Sequence, residues 1–190
     1  MTDESSKPIT YAFVDAANVI YRGNGPNDWK IDLRKLLGYL KERFGASAVF
    51  YYGGIDRKND AQCGINRKMA KWGYLLRLNP VKYFQNEQGK LYRKADVDSR
   101  MTFEIMQKLP QYDRAIVLTG DGDFYWVLEY LLQQKDRVWL VANPRKTAKE
   151  LKKLFGANFA NLDSLRSQLE YKKDEADSTN DSASGMTLLV

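Results

Sequence analysis

The stretch Arg114-Ala115-Ile116-Val117-Leu118-Thr119-Gly120-Asp121-Gly122-Asp123-Phe124 decides the fold. Its first half is an apolar run bounded by turn residues, which reads as a strand buried on both faces. Gly-Asp-Gly-Asp follows at once, so that strand ends in a tight turn holding two carboxylates. Residues 10–14 (TYAFV) have the same form and run directly into Asp15-Ala16-Ala17-Asn18.

Outward from these strands, helix and strand signals alternate. Residues 29–45 set Leu33, Leu36, Leu37, Leu40 and Phe44 at helical spacing and end on Gly45, a C-terminal stop. Residues 48–52 (AVFYY) predict a strand halted by Gly53-Gly54, and residues 59–72 a helix with Ile65, Met69 and Trp72 on one stripe. Residues 74–84 and 90–93 flank an Asn86-Glu87-Gln88-Gly89 turn and predict a hairpin. Helices are expected over 98–109 and 124–134, a strand over 137–142 (RVWLVA) and a helix over 147–155. A short edge strand over 158–162 and a closing helix over 164–171 complete the pattern. Such alternation predicts an α/β fold with three layers, α/β/α, around a central and mainly parallel sheet. One domain is expected over 10–171, after a flexible N-terminus at 1–9. A polar, low-complexity tail at 172–190 is expected to be disordered, although its end, 186–190 (MTLLV), is apolar.

Composition narrows the chemistry. The 190 residues contain no His and a single Cys, Cys63. Internal disulfides, His-ligated zinc, Ser–His–Asp triads and thiolate–imidazole pairs are thereby excluded. Hydrolysis by this chain must rest on carboxylates that hold a hard cation through oxygen. Cys63 reads as a small apolar filler. No secretory signal or membrane-length apolar run is visible, so a soluble, cytoplasmic protein is expected. The net charge is +6, yet residues 171–190 set Lys172 and Lys173 against Asp174, Glu175, Asp177 and Asp181, a net of −2. Residues 1–170 therefore carry +8. A basic body around a cluster of acids suits a polyanion whose phosphates meet those acids through a cation.

In open α/β sheets, ligands bind beyond the carboxyl ends of the strands, where the strand order reverses. If the strands ending at Asp15 and Thr119 are neighbours, Asp15, Asn18, Asp121 and Asp123 share one edge. Crowded carboxylates repel, and one takes up a proton unless a cation is bound. Mg²⁺ or Mn²⁺ removes that penalty and brings a water of lowered pKa to a phosphodiester. Singly, each acid has an ordinary reading, Asp123 as a helix cap and Asp15 as turn chemistry. Together they carry the functional one.

A third segment, Tyr92-Arg93-Lys94-Ala95-Asp96-Val97-Asp98, suits Asp96 to cap the next helix and leaves Asp98 in its first turn, facing the same edge. Glu104 lies four residues after Arg100 and reads first as a surface ion pair, second as a site ligand. Basic groups at Arg57-Lys58, at Arg67, Lys68 and Lys71, at Lys90, Arg93 and Lys94, and at Arg145, Lys146, Lys149, Lys152 and Lys153 predict a rim that attracts phosphate. Lys94 leads, because it adjoins the acid segment. Tyr52, Trp72, Tyr83 and Tyr92 are candidates to stack unpaired bases, with the core as the competing place for most of them.

These segments resemble the NYN domain, the LabA-like branch of the PIN-like nucleases. The likeness lies in Asp15-x-x-Asn18 after the first strand, in the Lys94–Asp98 segment, and above all in Gly120-Asp121-Gly122-Asp123-Phe124; it spans about 11–162. Thr119 stands where the family often has Ser, and Glu104 where many members have Asp. The resemblance implies a PIN-like, Rossmannoid fold and an endoribonuclease using Mg²⁺ or Mn²⁺ that leaves 5′-phosphate and 3′-hydroxyl ends. It implies Asp15, Asp98, Asp121 and Asp123 as catalytic, metal-holding acids, with Glu104 second in rank. Asn18, Lys94 and Arg93 are then the substrate-binding candidates.

The expected partner is nucleic acid, RNA foremost, with no membrane; a homodimer is compatible with the sequence. An RNA-binding or regulatory PIN-like module with little turnover is the alternative reading. A phosphoaspartyl enzyme built on Asp15 ranks below both, because Ala17 breaks the Asp-x-Asp pattern of one large phosphatase class.

Overall fold

The computed structural model describes residues 7–20, 29–56, 59–85, 89 and 91–172; the side chains of Ile20 and of Leu91–Lys94 lie outside the description. The expected tail at 172–190 falls outside it except for Lys172, and so do Arg57, Lys58 and Lys90.

Six parallel strands form the central sheet: β1 (Thr10–Asp15), β2 (Ala46–Ile55), β3 (Leu75–Pro80), β6 (Arg114–Leu118), β7 (Arg137–Ala142) and β8 (Phe159–Asn161). Their order is β3-β2-β1-β6-β7-β8. The chain winds outward from β1 in one direction and then, from β6, in the other. The reversal falls between β1 and β6, which pair directly from Thr10–Arg114 to Val14–Leu118. A crevice at the carboxyl ends of those two strands is therefore the ligand position that the topology favours.

Period-two alternation explains why both sheet faces are dry. Ala12, Val14, Val49, Tyr51, Ile116 and Leu118 face one core, shared with Leu36, Leu37 and Leu40 of α2 (Leu33–Phe44) and Met69 of α3 (Asp60–Trp72). Leu169 of α7 (Arg166–Leu169) and Val19 of α1 (Ala16–Ile20) close the same side. Phe13, Phe50, Tyr52, Ala115, Val117 and Leu140 face the other core. Met101 and Ile105 of α4 (Asp98–Gln107), Leu128 and Leu131 of α5 (Tyr125–Gln134) and Leu151 of α6 (Lys149–Phe155) cover it. The three-layer α/β/α reading holds, and the sheet is parallel throughout. No helix among the described residues is long and apolar enough to cross a membrane.

Several boundaries differ from the sequence pattern for local reasons. Strand β2 does not stop at Gly53-Gly54 but runs to Ile55, paired with β3. A Cβ on Gly54 would lie 2.8 Å from both Ala95 Cβ and Val81 Cγ2, so the glycine serves a close approach rather than a turn. Residues 74–84 are not one hairpin arm. β3 belongs to the main sheet, and only β4 (Lys82–Gln85) pairs antiparallel with β5 (Leu91–Lys94). Helix α2 begins at Leu33 because the Asp32 carboxylate accepts from the Arg34 and Lys35 amides, a side-chain N-cap. The closing helix shrinks to α7, after which Glu170 bridges to Ile31.

Candidate metal centre

Odd-numbered residues of β1 face the core that α4 covers, so Asp15, two residues beyond Phe13, ends the strand on the side from which Asp98 arrives. Asp15 is 1% exposed. Its Oδ2 accepts from Asn18 Nδ2 at 2.6 Å and from Thr119 Oγ1 at 3.1 Å, and its Oδ1 accepts from the Ala17 amide at 3.0 Å. Burial pushes its carboxyl above the usual range, and those hydrogen bonds oppose the rise. The short α1 is thus tied to the strand it follows by the Asp-x-x-Asn spacing itself.

The Gly120–Asp123 turn forms the second wall. Asp121 donates its amide to Thr119 Oγ1 at 3.2 Å and accepts the Asp123 amide on Oδ1 at 3.0 Å. Asp121 is therefore the N-cap of the 3-10 turn Gly122–Phe124, and Asp123, the expected cap, is left exposed. The turn is cramped. A Cβ on Gly120 would lie 3.2 Å from Asn18 Oδ1 and from the Lys146 carbonyl oxygen, and one on Gly122 would lie 2.7 Å from Glu150 Oε1. Two glycines here let the backbone sit against α1 on one side and the segment 146–150 on the other.

Asp98 opens α4, half-buried. Its carboxyl is pushed up to about 6, first by burial and then by the charges of Asp15, Asp121, Asp96 and Asp123. The two sequence-distant acid segments and the α4 segment thus come together at the β1/β6 crevice, within electrostatic range of one another. Among the described residues no Lys or Arg pairs with Asp15, Asp98, Asp121 or Asp123. As placed, no group of three or more His, Cys, Asp or Glu among the described residues is close enough to hold one ion.

Asp96 does not cap α4. The N-cap is Val97 without a side-chain bond, and the Asp96 carbonyl instead accepts from Asn79 Nδ2. Glu104 is buried and committed elsewhere. Arg77 Nε donates to both of its oxygens at 2.9 and 2.7 Å, Arg100 Nε donates at 3.2 Å, and the Tyr52 hydroxyl at 3.3 Å. The Arg100 pair read from the i,i+4 spacing exists, but it belongs to an interior network whose main member, Arg77, the sequence did not point to. Arg93 and Lys94 lie in β5, beside the acid segment in the chain, with side chains outside the described residues.

Of the basic rim, the group that packs on the acidic turn is the one after β7. The Ala148 amide donates to the Gly120 carbonyl at 3.0 Å, which brings exposed Arg145, Lys146 and Lys149 to the site. Lys71, near the carboxyl end of α3, lies away from it, because a crossover helix runs back toward the other edge of the sheet. Tyr52 is wholly buried and Trp72 packs on the core, so neither stacks on a base. Tyr83 is 55% exposed, with its hydroxyl donating to Asp56. The side chain of Tyr92 lies outside the described residues.

Two comparisons bear on this arrangement before the family itself. A solved structure of a protein of unknown function from Vibrio parahaemolyticus superposes with a TM-score of 0.68, covering 89% of this chain and 99% of that one. At 22% identity it shows a shared fold. The low amplitude and bright protein LabA of Synechococcus elongatus is 26% identical over 162 residues, 83% of this chain and 86% of its own length. Residues 10–162, which begin with β1 and close just after β8, match the NYN domain, and the chain belongs to that family of PIN-like nucleases.

Proposed function

We propose that this chain is a metal-dependent endoribonuclease whose acids are Asp15, Asp98, Asp121 and Asp123. The observation that carries the reading is the crowding at Asp98: a half-buried carboxyl held near 6 by burial and four neighbouring acids, with no pairing cation among the described residues. An ordinary structural cluster relieves such repulsion with Lys or Arg; this one leaves it for a diffusible cation. The donor set is hard oxygen in a chain without His, which fits Mg²⁺ or Mn²⁺ and does not fit a His-ligated zinc.

Asp15 and Asp121 are the principal holders in this reading, with Asp98 and Asp123 completing the set. When bound, the cation supplies Lewis-acid neutralisation of a phosphodiester and lowers the pKa of water. The chain's own residues do the rest. Asn18 and Thr119 fix the Asp15 carboxylate through hydrogen bonds, so it cannot swing out with the substrate. Asp123, exposed at the mouth, accepts the proton of the attacking water. Lys146 and Lys149 draw the phosphate backbone toward the acidic turn, and Lys94 meets the scissile phosphate.

Incubation of mixed-sequence RNA with Mn²⁺ tests the reading. Cleavage that stops in chelator and in Asp15→Asn, with the variant still folded by circular dichroism, is the expected result. Undiminished cleavage by Asp15→Asn overturns the assignment, and tight RNA binding with no cleavage under any divalent ion replaces it with the binding-module reading.

A further inference from the structure

Trp126 is 76% exposed, more than any other large apolar side chain among the described residues. It sits in the first turn of α5, and the acidic 3-10 turn Gly122–Phe124 runs directly into that helix. Three residues separate it from Asp123, the spacing at which side chains share a helix flank, while Val127, Leu128 and Leu131 point into the core. The ring is also supported. Tyr125 meets it edge-on, with centroids 5.3 Å apart and planes at 87°, and the Tyr125 hydroxyl donates to Glu129 Oε1 at 2.9 Å.

A rigid indole offered to solvent one turn from a phosphodiester site has a specific use. We infer that Trp126 is the platform on which an unpaired base of the bound strand stacks, so that the site takes single-stranded rather than duplex nucleic acid. This rests on the nuclease reading above and adds its substrate class. A duplex base has both faces covered by its neighbours and leaves no face for the indole; an unpaired base does. The cationic loop and the indole sit on the same turn: exposed Lys146 and Lys149 flank it through the Ala148–Gly120 hydrogen bond, and Trp126 follows it in the chain. Phosphate and base are thus addressed from one element.

Fluorescence anisotropy in chelator, where cleavage cannot interfere, tests this with a labelled oligoadenylate and with the same strand annealed to its complement. Trp126→Ala is expected to weaken single-strand binding about tenfold, Trp126→Phe to retain most of it, and neither to change duplex binding. At this exposure the alanine variant keeps its fold, which circular dichroism verifies. Equal binding by wild type and Trp126→Ala overturns the inference and leaves the nuclease reading intact. Wild type that binds no strand overturns both. A dimer in light scattering that Trp126→Ala converts to monomer, with strand binding unchanged, reassigns the indole to a contact between copies and overturns the inference as well.

Discussion

The Thr119 hydroxyl donates to the Asp15 carboxylate at 3.1 Å across 104 positions of sequence. The same oxygen accepts the Asp121 amide at 3.2 Å. One buried side chain thereby fixes the distance between the end of β1 and the turn after β6, and couples the two strongest candidate acids.

Removing that hydroxyl while keeping the shape is therefore informative. Thr119→Val leaves Asp15 one donor short and the Asp121 amide without its acceptor, at a cost of about 1–3 kcal/mol in stability. Cleavage is expected to fall about 10–100-fold, as for other groups that orient metal-holding residues. Thr119→Ser keeps the hydroxyl and should stay close to wild type. Equal activity in the serine and valine variants would dissolve the coupling role.

The raised carboxyl of Asp98 makes the stability of the metal-free protein pH-dependent. Below about pH 4 the group is protonated in folded and unfolded chains alike, and it costs nothing. As the pH rises from there through about 6, the unfolded chain has already released its proton while the folded chain must do so against burial and four acids. Stability is thus lost across that window, and Asp15, also raised, adds in the same direction. Thermal unfolding in chelator should find Asp98→Asn more stable than wild type above the window and equal to it at the acid end. Mn²⁺ should then raise the melting temperature of wild type more than that of the variant. A variant less stable than wild type in chelator at neutral pH would show that the crowding is already relieved by other means.

Glu104 separates structure from ligation. Its carboxylate is 10% exposed and joins Arg77 of β3, Arg100 of α4 and Tyr52 of β2. Glu104→Ala strands two partly buried cations and should destabilise by about 3–5 kcal/mol. The binding of Mn²⁺ by the fraction still folded, read by calorimetry at low temperature, should be nearly unchanged. A Glu104→Gln variant that keeps its melting temperature but loses Mn²⁺ affinity would return this residue to the ligand set.

What the sequence disclosed, and what it hid, follows from the range of the interactions. The runs at 10–14 and 114–119 were legible because a strand buried on both faces needs continuous apolar residues, and the rule on strand-order reversal then brought Asp15 and Asp121 to one edge. Glu104 misled because its i,i+4 partner Arg100 is visible in the chain, whereas Arg77 is brought to it by the β2–β3 pairing. Asp96 looked like a cap until Asn79, on a different strand, took its carbonyl. Trp126 went unremarked because its importance is its exposure, and the apolar helix 124–134 gives no hint which side is left bare. Gly53-Gly54 read as a stop for a related reason: a glycine kept for contact looks, in sequence, like one kept for a turn.

Gly54 gives that last point a measurable form. It lies within β2, where any residue with ordinary strand geometry should fit, yet a Cβ there would sit 2.8 Å from Ala95 Cβ and 2.8 Å from Val81 Cγ2. Neither neighbour is the tip of a flexible chain, so Gly54→Ala must push the 95–97 segment outward. Asp98 begins α4 immediately after that segment and moves with it. The overpacking should cost about 1–3 kcal/mol, and cleavage should fall by more than stability alone explains, since the displaced acid can no longer join Asp15 and Asp121. Gly38→Ala is the control, at a position where the nearest atom, Glu42 Oε1, is 3.9 Å away. It should leave cleavage unchanged and raise helix stability by up to about 1 kcal/mol. If Gly54→Ala cleaves RNA as fast as wild type at equal folded fraction, the position of Asp98 does not depend on the close approach of β2, and its place among the acids would have to be argued from elsewhere.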